Sequence, residues 1–196
     1  MSHYFEESPA TRSAPAEFEV RVPDTTLVLR SDRGVFSHGR LDRGTALLLR
    51  RGPAVPDGGA LLDLGCGAGP IAVVLARRAP QATVWAVDVN ERARQLCAAN
   101  AERNGIGNVE VAAPDDVPTE VRFDAIWSNP PVRIGKPALH DLLVTWLGRL
   151  TVGGAATLVV HHHLGADSLQ RWLTEHGHPT TRLASRHGYR LLHVTP

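Results

Sequence analysis

"ALLDLGCGAGPIAVVLARRA", residues 60–79, decides the fold. Its first five residues form a short apolar run that reads as a buried strand. "PIAVVLARRA" reads as a helix with Pro70 in its first turn, where a missing N–H is tolerated. Gly65, Gly67 and Gly69 lie between the two. Glycine permits a tight turn there and lets a ligand approach the backbone. The alternation continues downstream. "TVWAVDV" is a strand, and "ERARQLCAANAERNG" is a helix with Asn90 as N-cap and Gly105 just past its end. "NVEVAA" and "FDAIWS" are further strands. Leu139, Leu142, Leu143, Trp146, Leu147 and Leu150 mark an amphipathic helix. Gly153-Gly154 is expected to end that segment, with "AATLVVH" a strand after it. "SLQRWLTEHG" is a helix, and "TTRLAS" and "YRLLHV" form a hairpin around His187-Gly188. Alternating β and α elements imply a mainly parallel sheet with helices on both faces.

Upstream the pattern differs. Residues 1–17 are rich in Pro, Ser, Ala and Glu and read as a poorly ordered arm. Residues 18–58 read as a small β/α extension, with β-type runs "FEVRV", "TLVLR" and "GVF" followed by a helical "LDRGTALLLRR". Residues 59–196 form the main domain.

The 196 residues carry 21 Lys plus Arg against 20 Asp plus Glu, a formal charge of +1. That balance does not mark a dedicated nucleic-acid binder, although a local basic face fits within it. Two cysteines, Cys66 and Cys97, make neither a disulfide framework nor a zinc cluster. No apolar leader and no membrane-spanning run is present, so a soluble cytoplasmic protein is expected.

The glycine spacing is G-x-G-x-G. It fits neither the dinucleotide fingerprint nor the phosphate loop. Asp63, two residues before Gly65, would repel a pyrophosphate and suit an amine or a sulfonium. Asp88 ends the next strand, 19 residues past Gly69, near the offset at which an acid binds ribose hydroxyls. Asp115, with Asp116 beside it, follows the third strand, where it could meet an adenine amine. The set describes a nucleoside with a cationic tail and no phosphate, which fits S-adenosylmethionine. Gly65, Cys66 and Gly67 would contribute chiefly backbone, and Val89 follows Asp88 into the same site.

"AIWSNPPVRIGK", residues 125–136, ends a strand at two prolines that cannot extend it. The Asn129 amide and the Pro130 carbonyl can converge there as two acceptors, which suits the two hydrogens of an exocyclic –NH₂. Holding both hydrogens turns the nitrogen lone pair toward a methyl sulfonium.

With "GVFSHGRLDRGT" (34–45), "LLDLGCGAGPIAV" (61–73), "AVDVNERA" (86–93), "RFDAIWSNPPVRIGK" (122–136) and "GYRLL" (188–192) in view, the chain resembles the small-domain class I methyltransferases similar to ribosomal RNA guanine-N2 methyltransferases of the RsmC type. The resemblance covers about residues 18–196. It implies a doubly wound Rossmann-like α/β fold whose seven-strand sheet has an antiparallel C-terminal strand. It implies methylation of an exocyclic amine, guanine N2 of ribosomal RNA in many members. It places Asp63, Gly65, Gly67, Asp88, Asp115 and Asn129 at the cofactor or its methyl, with Asn129 and Pro130, set by Pro131 and Val132, at the amine. Many relatives carry a stacking aromatic after the two prolines; this chain has Val132, so stacking is expected from elsewhere, such as Phe36. The longer RNA enzymes have an extra N-terminal domain, so substrate recognition is expected from the N-terminal unit or a partner such as a ribosomal subunit.

Arg133 and Lys136 flank the turn and could hold a nucleic-acid phosphate. Arg40, Arg43, Arg50 and Arg51 could extend a basic face, joined by Arg186 and Arg190. His161-His162-His163 are adjacent on a strand and point to alternate faces, so no metal site is expected, only a strand end at the site rim. Other readings are methylation of a glutamine side-chain amide, methylation of a small-molecule amine, and a non-catalytic SAM- or RNA-binding partner protein.

Overall fold

The computed structural model describes residues 11–196. The chain opens with a hairpin of β1 (Ala16–Val22) and β2 (Thr25–Ser31). The expected arm thus yields Ala16 and Glu17 to β1, and its residues 1–10 lie outside the described residues. "GVF" is a turn rather than a third strand, with Gly34 at φ 82°. Phe18, Val20, Val22, Leu27 and Leu29 keep period two and all face the same core.

Helix α1 (Arg43–Arg51) starts at Asp42, whose carboxylate accepts the Thr45 N–H at 2.9 Å. The α/β alternation then runs through β3 (Gly58–Leu64), α2 (Pro70–Arg78), β4 (Gln81–Val87), α3 (Glu91–Arg103) and β5 (Val109–Ala112). It continues through β6 (Phe123–Ser128), α4 (Lys136–Leu147), β7 (Leu150–His161) and α5 (Ala166–Glu175), and closes with the hairpin β8 (Thr180–Arg186) and β9 (Tyr189–Val194).

Seven strands form one sheet in the order β5-β4-β3-β6-β7-β9-β8, with β9 antiparallel to both its neighbours. This is the sheet the resemblance implies. Successive residues feed opposite faces. Leu61, Trp127, Val159 and Leu191 pack beneath α1, α2, α3 and the N-terminal hairpin. Leu62, Ile126, Leu158 and Leu192 pack beneath α4 and α5. The hairpin therefore shares the main core.

One boundary differs from the expectation. The helix α4 ends at Leu147 before Gly148, and Leu150 begins β7. The strand runs through Gly153 and Gly154, and its register against β6 shifts between Phe123 and Ala125. Gly153 sits at φ 85°, so the pair absorbs an irregularity within the strand instead of ending an element.

Two asparagines dock the hairpin. Asn100 on α3 accepts the Arg30 N–H at 2.8 Å and donates to the Arg30 and Ala68 carbonyls at 2.7 and 2.8 Å. Asn104, one turn on, engages the Val28 N–H and carbonyl. The free edge of β2 thus pairs with side-chain amides at i and i+4, and the same contact reaches the backbone of the glycine loop.

The chain runs outward from β3 to β5 and then returns to place β6 on the other side of β3. Such a switch opens a crevice above the carboxyl ends of the two central strands.

Candidate active site

A cavity of about 340 Å³ fills that crevice, within the size range of small-molecule sites. One end is formed by Gly65, Gly67, Asp88 and Asn90, the middle by Asn129 to Val132, and the other end by Val160, His161, Leu164 and Tyr189. Val35, Phe36, Arg40 and Asp42 reach it from the N-terminal segment.

The glycine loop crosses over β4, with the Gly65 and Cys66 N–H groups donating to the Val87 carbonyl at 2.8 and 3.0 Å. Gly65 and Gly67 have φ of 76° and 55°, a region that favours glycine. A Cβ on Gly65 would come no nearer than 4.0 Å to the Pro131 side chain, and one on Gly67 no nearer than 3.9 Å to Val35. Both glycines therefore leave open a space that a ligand can fill. Gly69 is different: its φ is 84° and a Cβ there would lie 2.5 Å from the Cys97 sulfur, so it serves the packing of α2 on α3.

Asp88 follows β4. Its two oxygens accept the Gly67 and Asn90 N–H groups, each at 2.9 Å. Each retains lone-pair capacity on the cavity side, as binding a pair of ribose hydroxyls requires. Burial pushes its carboxyl above the usual range, against the pull of those backbone bonds. Val89 follows at the mouth, 44% exposed.

Asp63 lies beneath the loop and off the cavity wall, fully buried. One oxygen accepts the Ala72 N–H at 2.9 Å near the start of α2, and the other has no partner among the described residues. Burial, reinforced by Asp88, raises its carboxyl to about 8. Cys66 is also buried at the loop's underside. Asp115 is exposed in a 3₁₀ turn, Pro114–Asp116, and off the cavity wall; its neighbour Pro114 lines it.

Asn129 emerges at the end of β6. Pro131, at φ −75° and ψ 64°, forms an inverse γ-turn in which the Val132 N–H donates to the Pro130 carbonyl at 2.8 Å. That carbonyl keeps a second lone pair. The Asn129 Nδ2 donates to Asp42 Oδ2 and to Thr45 Oγ1, both at 3.0 Å. Its carbonyl oxygen is the group left to act as an acceptor toward the cavity.

Phe36, Val89 and Leu164 are large apolar side chains left exposed, and all three line the cavity. They give its mouth an apolar rim suited to a planar ring. Arg133 and Arg40 line the same mouth; Lys136 is exposed at the start of α4 and off the wall. Arg50 donates to the Arg21 carbonyl, and Arg190 pairs with Asp167. His161 lies at the rim, edge-on to Tyr189 with ring centroids 4.8 Å apart. Among the described residues, no group of three or more His, Cys, Asp or Glu could hold a metal ion. No helix among them is long and apolar enough to cross a membrane.

Asp42, Thr45 and Tyr189 escaped the sequence reading as site residues. "LDRGT" does signal a helix N-cap at Asp42. Nothing local shows that the same carboxylate meets an asparagine 87 positions later.

The chain matches the family model "Methyltransferase small domain" over residues 26–193. It is 33% identical over 193 residues to "Uncharacterized protein YbxB" of Bacillus subtilis (strain 168), covering 97% of this chain and 96% of that protein. It is 37% identical over 189 residues to "Ribosomal RNA small subunit methyltransferase C" of Pseudomonas aeruginosa (strain UCBPP-PA14), covering 93% of this chain and 55% of the relative. The chain thus spans about half the length of the RsmC relatives it matches. A solved T. Thermophilus 16S rRNA N2 G1207 methyltransferase (RsmC), in complex with AdoMet and guanosine, superposes with a TM-score of 0.79 at 28% identity, over 95% of this chain and 52% of that one. The fold is that of the class I methyltransferases, and the chain belongs to the methyltransferase small domain family.

Proposed function

We propose that this protein methylates an exocyclic amine, guanine N2 of ribosomal RNA, using S-adenosylmethionine. The observation that carries this reading is the Asn129-Pro130 turn on the cavity wall, which offers two acceptors at the end of β6. The solved relative that holds AdoMet and guanosine supports the same chemistry.

Gly65 and Gly67 fit the cofactor by leaving open space at the backbone, and Asp88 fits its ribose diol. Asp63 acts from below, through the loop and the start of α2. When bound, the cofactor supplies an electrophilic methyl on a sulfonium. The chain does the rest by placement. Asn129 Oδ1 and the Pro130 carbonyl accept the two amine hydrogens, which frees the nitrogen lone pair from conjugation and aims it. An alkylated ring amine that carries an extra proton is strongly acidic, so solvent can take that proton and no strong base is needed. Phe36 and Leu164 cover the ring where Val132 is too small to stack, and Arg133, Arg40 and Lys136 meet the flanking phosphates. A cytoplasmic location and a ribosomal RNA or subunit as partner follow from this substrate.

The test is transfer of labelled methyl from S-adenosylmethionine to separated ribosomal subunits, free RNA and protein. Label recovered as N2-methylguanosine is expected, with Asn129→Ala slowing turnover about 10²–10³-fold while cofactor binding persists. Label in a protein amide would overturn the RNA assignment.

A further inference from the structure

We propose that Asp42 and Thr45 latch the Asn129 amide in the one orientation that accepts hydrogen bonds from substrate, making them positioning residues that favour a base bearing an –NH₂ donor over one that lacks it. The inference rests on the amine-holding role of Asn129 and adds what sets it.

An asparagine amide presents a donor on one side and an acceptor on the other, and the two have nearly the same shape. A turn alone does not choose between them. Here both Nδ2 hydrogens are taken at 3.0 Å, one by Asp42 Oδ2 and one by Thr45 Oγ1. A carboxylate can only accept. Turning the amide over would set its oxygen against the carboxylate, leaving two acceptors face to face. The Asp42 carboxylate therefore fixes the direction, and Thr45 holds the second hydrogen. Pairing to a charged acceptor also polarises the amide and strengthens its oxygen as an acceptor.

Asp42 is itself held from two sides. Its Oδ2 also accepts the Thr45 N–H at the start of α1, and its Oδ1 accepts the Tyr189 hydroxyl at 3.4 Å. The Tyr189 ring fits because residue 44 is glycine: a Cβ there would lie 2.6 Å from the ring. Tyr189 in turn pairs with His161 across β9 and β7 and meets its ring edge-on. Burial keeps the phenol protonated above its ordinary range, so it remains a donor. Thr45 is buried and is not itself on the main cavity wall, so its hydroxyl serves Asn129 and not the substrate.

The experiment compares wild type with Thr45→Val, Thr45→Ser, Asp42→Asn and Asn129→Ala. It measures kcat, KM, cofactor affinity, and competition by free guanosine against inosine, which lacks the 2-amino group. Thr45→Val should lower kcat roughly tenfold, leave cofactor affinity unchanged, and narrow the preference for guanosine over inosine. Thr45→Ser should restore both. Asp42→Asn keeps an acceptor for the helix cap but lets the two amides pair either way, so it should lower kcat and narrow the preference too. It also carries the test if Thr45→Val fails to fold. Either folded variant with wild-type kcat and an unchanged guanosine preference overturns the latch, provided Asn129→Ala is slow. An Asn129→Ala enzyme at full rate would instead overturn the proposed function.

Discussion

Gly69→Ala tests how tightly the glycine loop is built into the core. At φ 84° an L-residue is strained, by about 1–2 kcal/mol. The new methyl would also lie 2.5 Å from the Cys97 sulfur and 3.3 Å from the Cys97 Cα. The second contact is backbone, so α3 itself must move. Forcing a methyl into a packed core costs about 1–3 kcal/mol. A total near 3 kcal/mol is a large share of the 5–15 kcal/mol that typically holds a domain together. For a chain of this size it corresponds to a fall in Tm of roughly 6–12 °C. Urea and thermal unfolding measure it, with cofactor affinity as a second readout because the loop carries Gly67, which is hydrogen-bonded to Asp88, and both are proposed to hold the cofactor. Adding Cys97→Ala removes the 2.5 Å contact but not the strained φ, so the double mutant should regain about 1–2 kcal/mol. A Gly69→Ala protein within about 0.5 kcal/mol of wild type, or one indifferent to Cys97→Ala, would refute this account of the loop.

Asp63 is held protonated up to about 8 in the fold, whereas its ordinary value is 3.8. Its contribution to stability is therefore complete below about pH 4 and is lost as pH rises toward 8. Asp63→Asn should flatten the pH dependence of Tm and gain on wild type as pH rises from about 4 to 8; Tm values of the two proteins that run parallel over about pH 5–8 would argue against it. Asn100→Ala leaves the Arg30 N–H and two carbonyls without their partner and should cost about 2–4 kcal/mol. Amide exchange should speed up first at Arg30 and its neighbours in β2, and uniform acceleration across the sheet would show that the hairpin is not separately docked.

The local rules of the chain settled much of this protein in advance. Period-two alternation in "FEVRV" and "TLVLR", the strand–glycine–helix stretch at 60–79, the cap at Asn90 and the prolines at 130 and 131 each act within a few residues, so each can be read before folding. They give the α/β alternation, a ligand crevice at the carboxyl ends of the strands, and Asn129 at its centre. The long-range contacts were not legible. Strand β7 continues through Gly153-Gly154 because β6, some 30 residues earlier in the chain, pairs with it on both sides of them, at Leu150 and again from Ala155. Asp63 reads as a side chain aimed at a cation, yet α2 folds over it and buries it. Asp115 reads as the group after the third strand, but the 3₁₀ turn presents Pro114 to the cavity instead. Asp42, Asn129 and Tyr189 meet across 87 and 147 positions of sequence. Only the assembled sheet, with β9 antiparallel between β7 and β8, brings them together. Side chains that act on one another through space leave no mark in local spacing.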